Sequence, residues 1–99
     1  DQHLPKFPRS SRDIAVVVPL EVSMRELEGV IRANAGELLT DVKVFDVYTG
    51  KQVAGGCKSM AFNLTFQAGD RTLTDTEIDT VIKNVVDKVG EEYKAKLRA

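Results

Sequence analysis

Ninety-nine residues bound a single domain with one modest core, too short for a catalytic domain that carries its own cofactor fold. With 42% hydrophobic and 29% charged residues the composition is that of an ordinary globular chain, and no apolar run is long enough to cross a membrane. A formal net charge of -1 excludes the strongly basic balance of a stand-alone nucleic-acid binder, so any such role has to rest on a local patch.

No signal peptide is visible, and one cysteine, Cys57, forms no internal disulfide, which points to a reducing cytoplasm. The chain starts at Asp1 without an initiator Met, the expectation for a piece of a longer protein.

Residues 1–11, with Pro5, Pro8, Lys6 and Arg9, read as an extended arm that Phe7 can anchor; residues 12–99 read as the folded domain. Arg12 to Pro19 is the first strand, with Ile14, Val16 and Val18 on one side and Asp13, Ala15 and Val17 on the other. An apolar run on both sides predicts a central strand, and Pro19 ends it.

Ser23 and Glu26 have the spacing of a capping box, with Val22 and Leu27 placed as a hydrophobic staple, so a helix starts there. Leu27, Val30 and Ile31 form its apolar stripe, and Gly36 supplies its stop. Leu38 to Tyr48 is the second strand, in which Lys43, Phe45 and Val47 share one face and Val42, Val44, Asp46 and Tyr48 the other. Alternation leaves open which of these faces is buried.

A glycine-containing loop of about seven residues leads to the third strand. In it Met60, Phe62, Leu64 and Phe66 alternate with Ser59, Ala61, Asn63, Thr65 and Gln67, one apolar face against one polar face. Thr74 and Glu77 repeat the capping box, Leu73 and Ile78 the staple, and Ile78, Val81, Ile82, Val85 and Val89 form a 3.6-period stripe that Gly90 terminates. Tyr93 to Arg98 then alternates as a short basic edge strand.

The order strand, helix, strand, strand, helix, strand predicts an α+β ferredoxin-like βαββαβ sandwich: a four-stranded antiparallel sheet with both helices on one face. The helices cover the Met60, Phe62, Leu64, Phe66 row, and the opposite face stays open.

That fold hosts RNA binders, regulatory domains, metal chaperones and small enzymes, so residues must do the sorting. Cys57 and a distant His3 make no metal constellation, and neither has an activating base beside it for nucleophilic catalysis. Gly55 and Gly56 open a strand, the wrong element for a phosphate cradle. Against the third-strand signature of the RNA-recognition motif, Lys58, Ala61 and Phe62 fit, whereas Ser59, Met60, Asn63 and Thr65 do not, and the parity is opposite.

Several segments in order, Phe7 and Pro8, Arg12 to Val17, Phe45 to Tyr48 with Gly50, Gly56 with Lys58 to Ala61, Arg71 to Thr74, and Leu97 with Arg98, resemble the ferredoxin-fold anticodon-binding domain that ends the beta subunit of bacterial phenylalanyl-tRNA synthetase. The resemblance implies a cytoplasmic heterotetrameric parent of alpha and beta subunits that uses ATP, Mg2+, phenylalanine and tRNA(Phe). Catalysis then lies in the other subunit. This piece has no cofactor of its own and holds the anticodon stem-loop.

On that reading Ala15, Ser59 and Ala61 leave room for bases at the sheet, and Phe45 stacks on one if its side is the open one. Asn63 reads a base edge, while Arg9, Arg12, Lys43, Lys58 and Arg98 are phosphate or base contacts, Lys58 standing at the entrance. Asp46 is assigned to tying down the hairpin loop or Arg12, and Arg71 stays ambiguous. The alternative is a non-enzymatic regulatory or oligomerisation domain that uses the same open face for a partner or small ligand.

Overall fold

The computed structural model describes residues 7–50, 53–94 and 96–97. Its elements are β1 (Ser10–Pro19), α1 (Met24–Ala35), β2 (Leu39–Tyr48), β3 (Cys57–Phe66), α2 (Asp75–Tyr93) and a two-residue β4 (Lys96–Leu97). The three long strands form an antiparallel sheet in which β3 lies between β2 and β1, and β4 adds a short stretch to the outer edge of β1.

Ladder pairs put Val16 opposite Met60, Ile14 opposite Phe62 and Arg12 opposite Leu64, while on the other side of β3 Val42 faces Leu64 and Val44 faces Phe62. Facing residues share a side of the sheet, so one side collects Ile14, Val16, Val18, Met60, Phe62, Leu64 and Phe66. All are buried in one cluster with Leu27 and Ile31 of α1 and Ile78, Val85 and Val89 of α2. Both helices therefore lie on that side. Met60, Phe62, Leu64 and Phe66 are at most 1% exposed, and burial of each contributes about 1.5–3 kcal/mol.

β2 departs from simple alternation. Its register shifts between Leu39 and Asp41 and again between Val44 and Asp46, so Thr40 and Phe45 are extra residues in the ladder. Across the second bulge the faces exchange parity. Val47 joins Val42 and Val44 opposite the core row, whereas Asp46 and Tyr48 join Lys43 opposite Ala61 and Ser59. The division of β2 into two strictly alternating faces is corrected accordingly.

Both helix starts are closed by capping boxes. Glu26 N donates to Ser23 Oγ at 3.0 Å while Ser23 N donates to Glu26 Oε1 at 3.0 Å. Glu77 N donates to Thr74 Oγ1 at 3.1 Å while Thr74 N donates to Glu77 Oε1 at 3.0 Å. The staple residues Val22, Leu27, Leu73 and Ile78 all join the core. Arg71, whose role the sequence leaves ambiguous, donates through Nε to Glu77 Oε2 at 3.2 Å and so braces the second box.

The end of α2 lies later than Gly90. The helix runs through Gly90 to Tyr93, and Lys94 closes it in the left-handed region at φ 57°. A glycine costs about 1 kcal/mol inside a helix. Here buried Val89 and Tyr93, which packs on the core, hold the turn that contains it. The expected strand from Tyr93 is reduced to Lys96–Leu97, and Arg98 lies outside the described residues.

Ser23→Ala and Thr74→Ala should each lower stability by about 1 kcal/mol, read as a drop of about 4–8 °C in thermal midpoint. Hydrogen bonds from Arg71, then from Thr74, hold the Glu77 carboxyl below its ordinary value of 4.5. A lowered folded-state value stabilises above the unfolded value and is lost as pH falls through the folded one. Thermal midpoints followed from neutral pH into the acid range should therefore fall less steeply in Glu77→Gln than in the parent chain; identical acid arms would contradict this.

Candidate nucleic-acid interface

The side of the sheet away from the helices is laid out by the same register in four rows. From one end these are Ser11, Thr65 and Asp41; Asp13, Asn63 and Lys43; Ala15, Ala61 and Asp46; and Val17, Ser59 and Tyr48. None belongs to the hydrophobic core. Extended backbone sends alternate side chains to opposite faces, so a strand that fills the core with large residues is free to carry small or polar ones here.

The centre of this face is a floor of two alanines, Ala15 opposite Ala61, both partly accessible. No side chain there exceeds one carbon, so a flat ring can approach the backbone of the two strands. Asp46 borders the floor from β2 and is exposed. Phe45, the residue that the bulge leaves without a partner across the ladder, precedes Asp46 in the chain and is 58% exposed. An exposed phenyl ring is a surface on which a base can stack.

In the adjoining row Asn63 Nδ2 donates to Asp13 Oδ1 at 2.8 Å. The bond fixes the amide while its carbonyl oxygen and second N–H stay available, the donor and acceptor set that reads base edges. Among the described residues this face carries Asp13, Asp41 and Asp46 against Lys43, with Arg9 at its end. Its centre favours ring faces and N–H donors over phosphate.

The structure brings together Ala15, Ala61, Asn63 and Lys43 of the residues singled out from sequence, and Phe45 is exposed in the bulge next to Asp46. Ser59 shares their side but is fully buried between Val17 and Tyr48, so it closes the floor at one end and is not an accessible contact. Two cations fall on the opposite side. Arg12 faces Leu64, and its Nη2 reaches Asp75 Oδ1 at 2.7 Å, where the carboxylate stands in the first turn of α2. Lys58 faces Val18, a core residue, so register puts it on the helix side and away from the entrance of the floor. Its parity with Met60 already carries that information.

Arg9 lies at the Thr65 end. Asp46 and the Asp13 partner of Asn63 are the residues that sequence reasoning leaves out of the site. Asp46 is hidden by the bulge, and Asp13 by its neighbours in an otherwise apolar strand. Among the described residues no group of three or more His, Cys, Asp or Glu side chains stands close enough to hold a metal ion, and no helix is long and apolar enough to cross a membrane.

Comparison with known proteins gives this geometry a context. Residues 5–98 match the model of the ferredoxin-fold anticodon-binding domain. The chain is 45% identical over 95 residues to the phenylalanine–tRNA ligase beta subunit of Moorella thermoacetica, covering 96% of this chain and 12% of that protein. The Bacillus cereus beta subunit is 43% identical over 95 residues, with 96% and 12% covered, and that of Xanthomonas oryzae 42% identical over 96 residues, with 97% and 12% covered. The chain thus spans about an eighth of the length of the relatives it matches. A match across nearly every residue, on a sheet with the topology and the uncovered face described above, makes this chain a member of the ferredoxin-fold anticodon-binding domain family.

Proposed function

We propose that the chain is the anticodon-binding module of a phenylalanine–tRNA ligase beta subunit, which holds the anticodon end of tRNA(Phe) while aminoacylation takes place elsewhere in the parent enzyme. The observation that carries this reading is the uncovered floor of Ala15 and Ala61, bordered by Phe45, Asp46 and the Asp13–Asn63 pair. The names of the relatives supply the amino acid and the subunit.

In this reading a base lies over the two alanines, Phe45 stacks on it or on its neighbour, and the carboxylate of Asp46 accepts from N–H groups on its edge. Asn63, held by Asp13, reads an adjacent base. Ser59 supports the floor from within the sheet. The module contributes binding energy to substrate selection and performs no chemistry. The parent uses ATP and Mg2+ at its catalytic centre, assembles with alpha subunits in a heterotetramer, and works in the cytoplasm.

Ala61→Leu tests the floor in the full-length ligase. The added isobutyl bulk stands on the uncovered side, so the thermal midpoint should hold. The KM for tRNA(Phe) should rise about tenfold, equivalent to about 1.4 kcal/mol, with phenylalanine-dependent ATP–pyrophosphate exchange unchanged. Unaltered charging kinetics would overturn the reading, and loss of exchange would signal a folding defect instead.

Phe45→Ala, at a position already more than half exposed, should weaken anticodon stem-loop binding by about 1–3 kcal/mol if the ring stacks on a base. Equilibrium titration with a labelled stem-loop reads this directly, and equal affinities for Phe45→Ala and the parent would remove Phe45 from the interface.

A further inference from the structure

Four residues along β3 from Ala61, about 13 Å at about 3.3 Å per residue, the uncovered face ends in a polar cavity of about 410 Å³. Arg9, Thr40, Asp41, Lys43, Thr65 and Gln67 line it. It is built by the first bulge of β2, which makes Thr40 an extra residue between Leu39 and Asp41. Thr40 Oγ1 donates to Thr65 O at 3.2 Å across the two strands.

The segment before β1 is tied to this end of the sheet because Gln67 Nε2 donates to Phe7 O at 2.7 Å, and that bond carries Arg9 to the rim of the cavity. Arg9 makes no ion pair among the described residues. The Lys43 ammonium stands 4.0 Å from Asp41 Oδ2, beyond hydrogen-bond distance, with 75% of its side chain exposed. Asp41, the one acid in the lining, accepts from its own strand through Val42 N at 2.9 Å, and its Oδ1 lies 3.7 Å from Arg32 Nη2 of α1. Its charge is thus partly answered from outside the cavity, and the two cations line a polar hollow that is open to solvent.

We propose that this cavity is a phosphate subsite for the sugar–phosphate backbone of the RNA strand whose bases rest on the Ala15 and Ala61 floor. The proposal rests on that reading of the floor and adds a separate contact to it. The centre of the face, bordered by Asp13 and Asp46, repels phosphate. The cavity is the place along the described face where cations outnumber acids, with Arg9 and Lys43 against Asp41. A guanidinium and an ammonium at one phosphate, with the Thr65 hydroxyl in the same lining, form an ordinary anion-binding set. The bases set identity at one end of the face and the backbone is gripped at the other.

The test uses the full-length protein that carries this domain and an RNA hairpin bearing the tRNA(Phe) anticodon loop. Arg9→Gln with Lys43→Gln should lower affinity about tenfold and reduce the slope of log affinity against log salt by about 0.7, the loss of one single-strand phosphate contact. Replacing loop phosphates one at a time by neutral methylphosphonates should find one position that weakens the parent protein and leaves the double variant unaffected, the coupling expected of a direct contact. Both exchanged side chains are on the surface, and an unchanged thermal midpoint verifies the fold.

If the double variant keeps full affinity and salt slope while Ala61→Leu loses binding, the phosphate subsite falls and the floor stands. If single-phosphate neutralisation affects parent and double variant alike, the contact is elsewhere and the subsite again falls. If the parent protein binds hairpins with and without the anticodon sequence equally, and Ala61→Leu has no effect, the floor reading fails and takes the subsite with it.

Discussion

The two-residue period of β3 is the constraint on which the rest of the molecule depends. Met60, Phe62, Leu64 and Phe66 occupy one side of the central strand and are sealed by both helices; Ser59, Ala61, Asn63 and Thr65 take the other by geometric necessity. A slip of one residue would drive Asn63 and Thr65 into the core and four large apolar groups into water. At about 1.5–3 kcal/mol for each buried side chain, that exchange costs about 6–12 kcal/mol, comparable to the whole stability of a typical domain of this size. The face proposed for binding is therefore defined by what the core excludes. Its residues lie outside the hydrophobic cluster, which leaves them free to be small, polar or acidic.

Local grammar made much of this legible from sequence. A hydroxyl three residues ahead of a glutamate, flanked by apolar residues at staple spacing, specifies a helix start without reference to the rest of the fold, and both starts are found at Ser23 and Thr74. The central position of β1 follows from its apolar character on both sides. Gly90 shows where local grammar fails. Its intrinsic penalty is about 1 kcal/mol, smaller than the combined packing of Val89 and Tyr93 on either side of it, so tertiary contact carries the helix past the residue that propensity alone would stop it at.

β2 is the instructive case, because its signal was present in another form. The apolar positions Leu39, Val42, Val44 and Val47 are spaced three, two and three residues apart, and each interval of three contains one bulge. Strict alternation assigns Val47 to the side of Lys43 and sends Asp46 to the side of Val42. Once the apolar row is kept whole, Asp46 moves beside Ala61 and becomes part of the site. Arg12 and Lys58 fail for a simpler reason: as basic residues next to a candidate face they invite assignment to it, although each has the parity of the core row. Arg12 is tolerated there, opposite Leu64, because its guanidinium reaches the surface and meets Asp75 in the first turn of α2. Spacing, more than residue type, decides membership of the site.

The near-neutral charge of the chain fits the division of work proposed for this face. A binder that held RNA chiefly by its phosphates would gather lysines and arginines across the sheet, and its affinity would collapse with added salt. Here the central rows carry Asp13 and Asp46 beside alanines and an exposed phenyl ring, a surface that rewards a base for presenting its ring and its N–H edge and penalises a phosphate that takes the same place. On the proposed reading, like-charge repulsion would act as an orienting force: a strand crossing the face would lay its bases inward over Ala15 and Ala61 and keep its backbone at the margins. On the proposed reading, two cations at one margin would supply the backbone contact, and the acids at the centre would set which way round the strand lies.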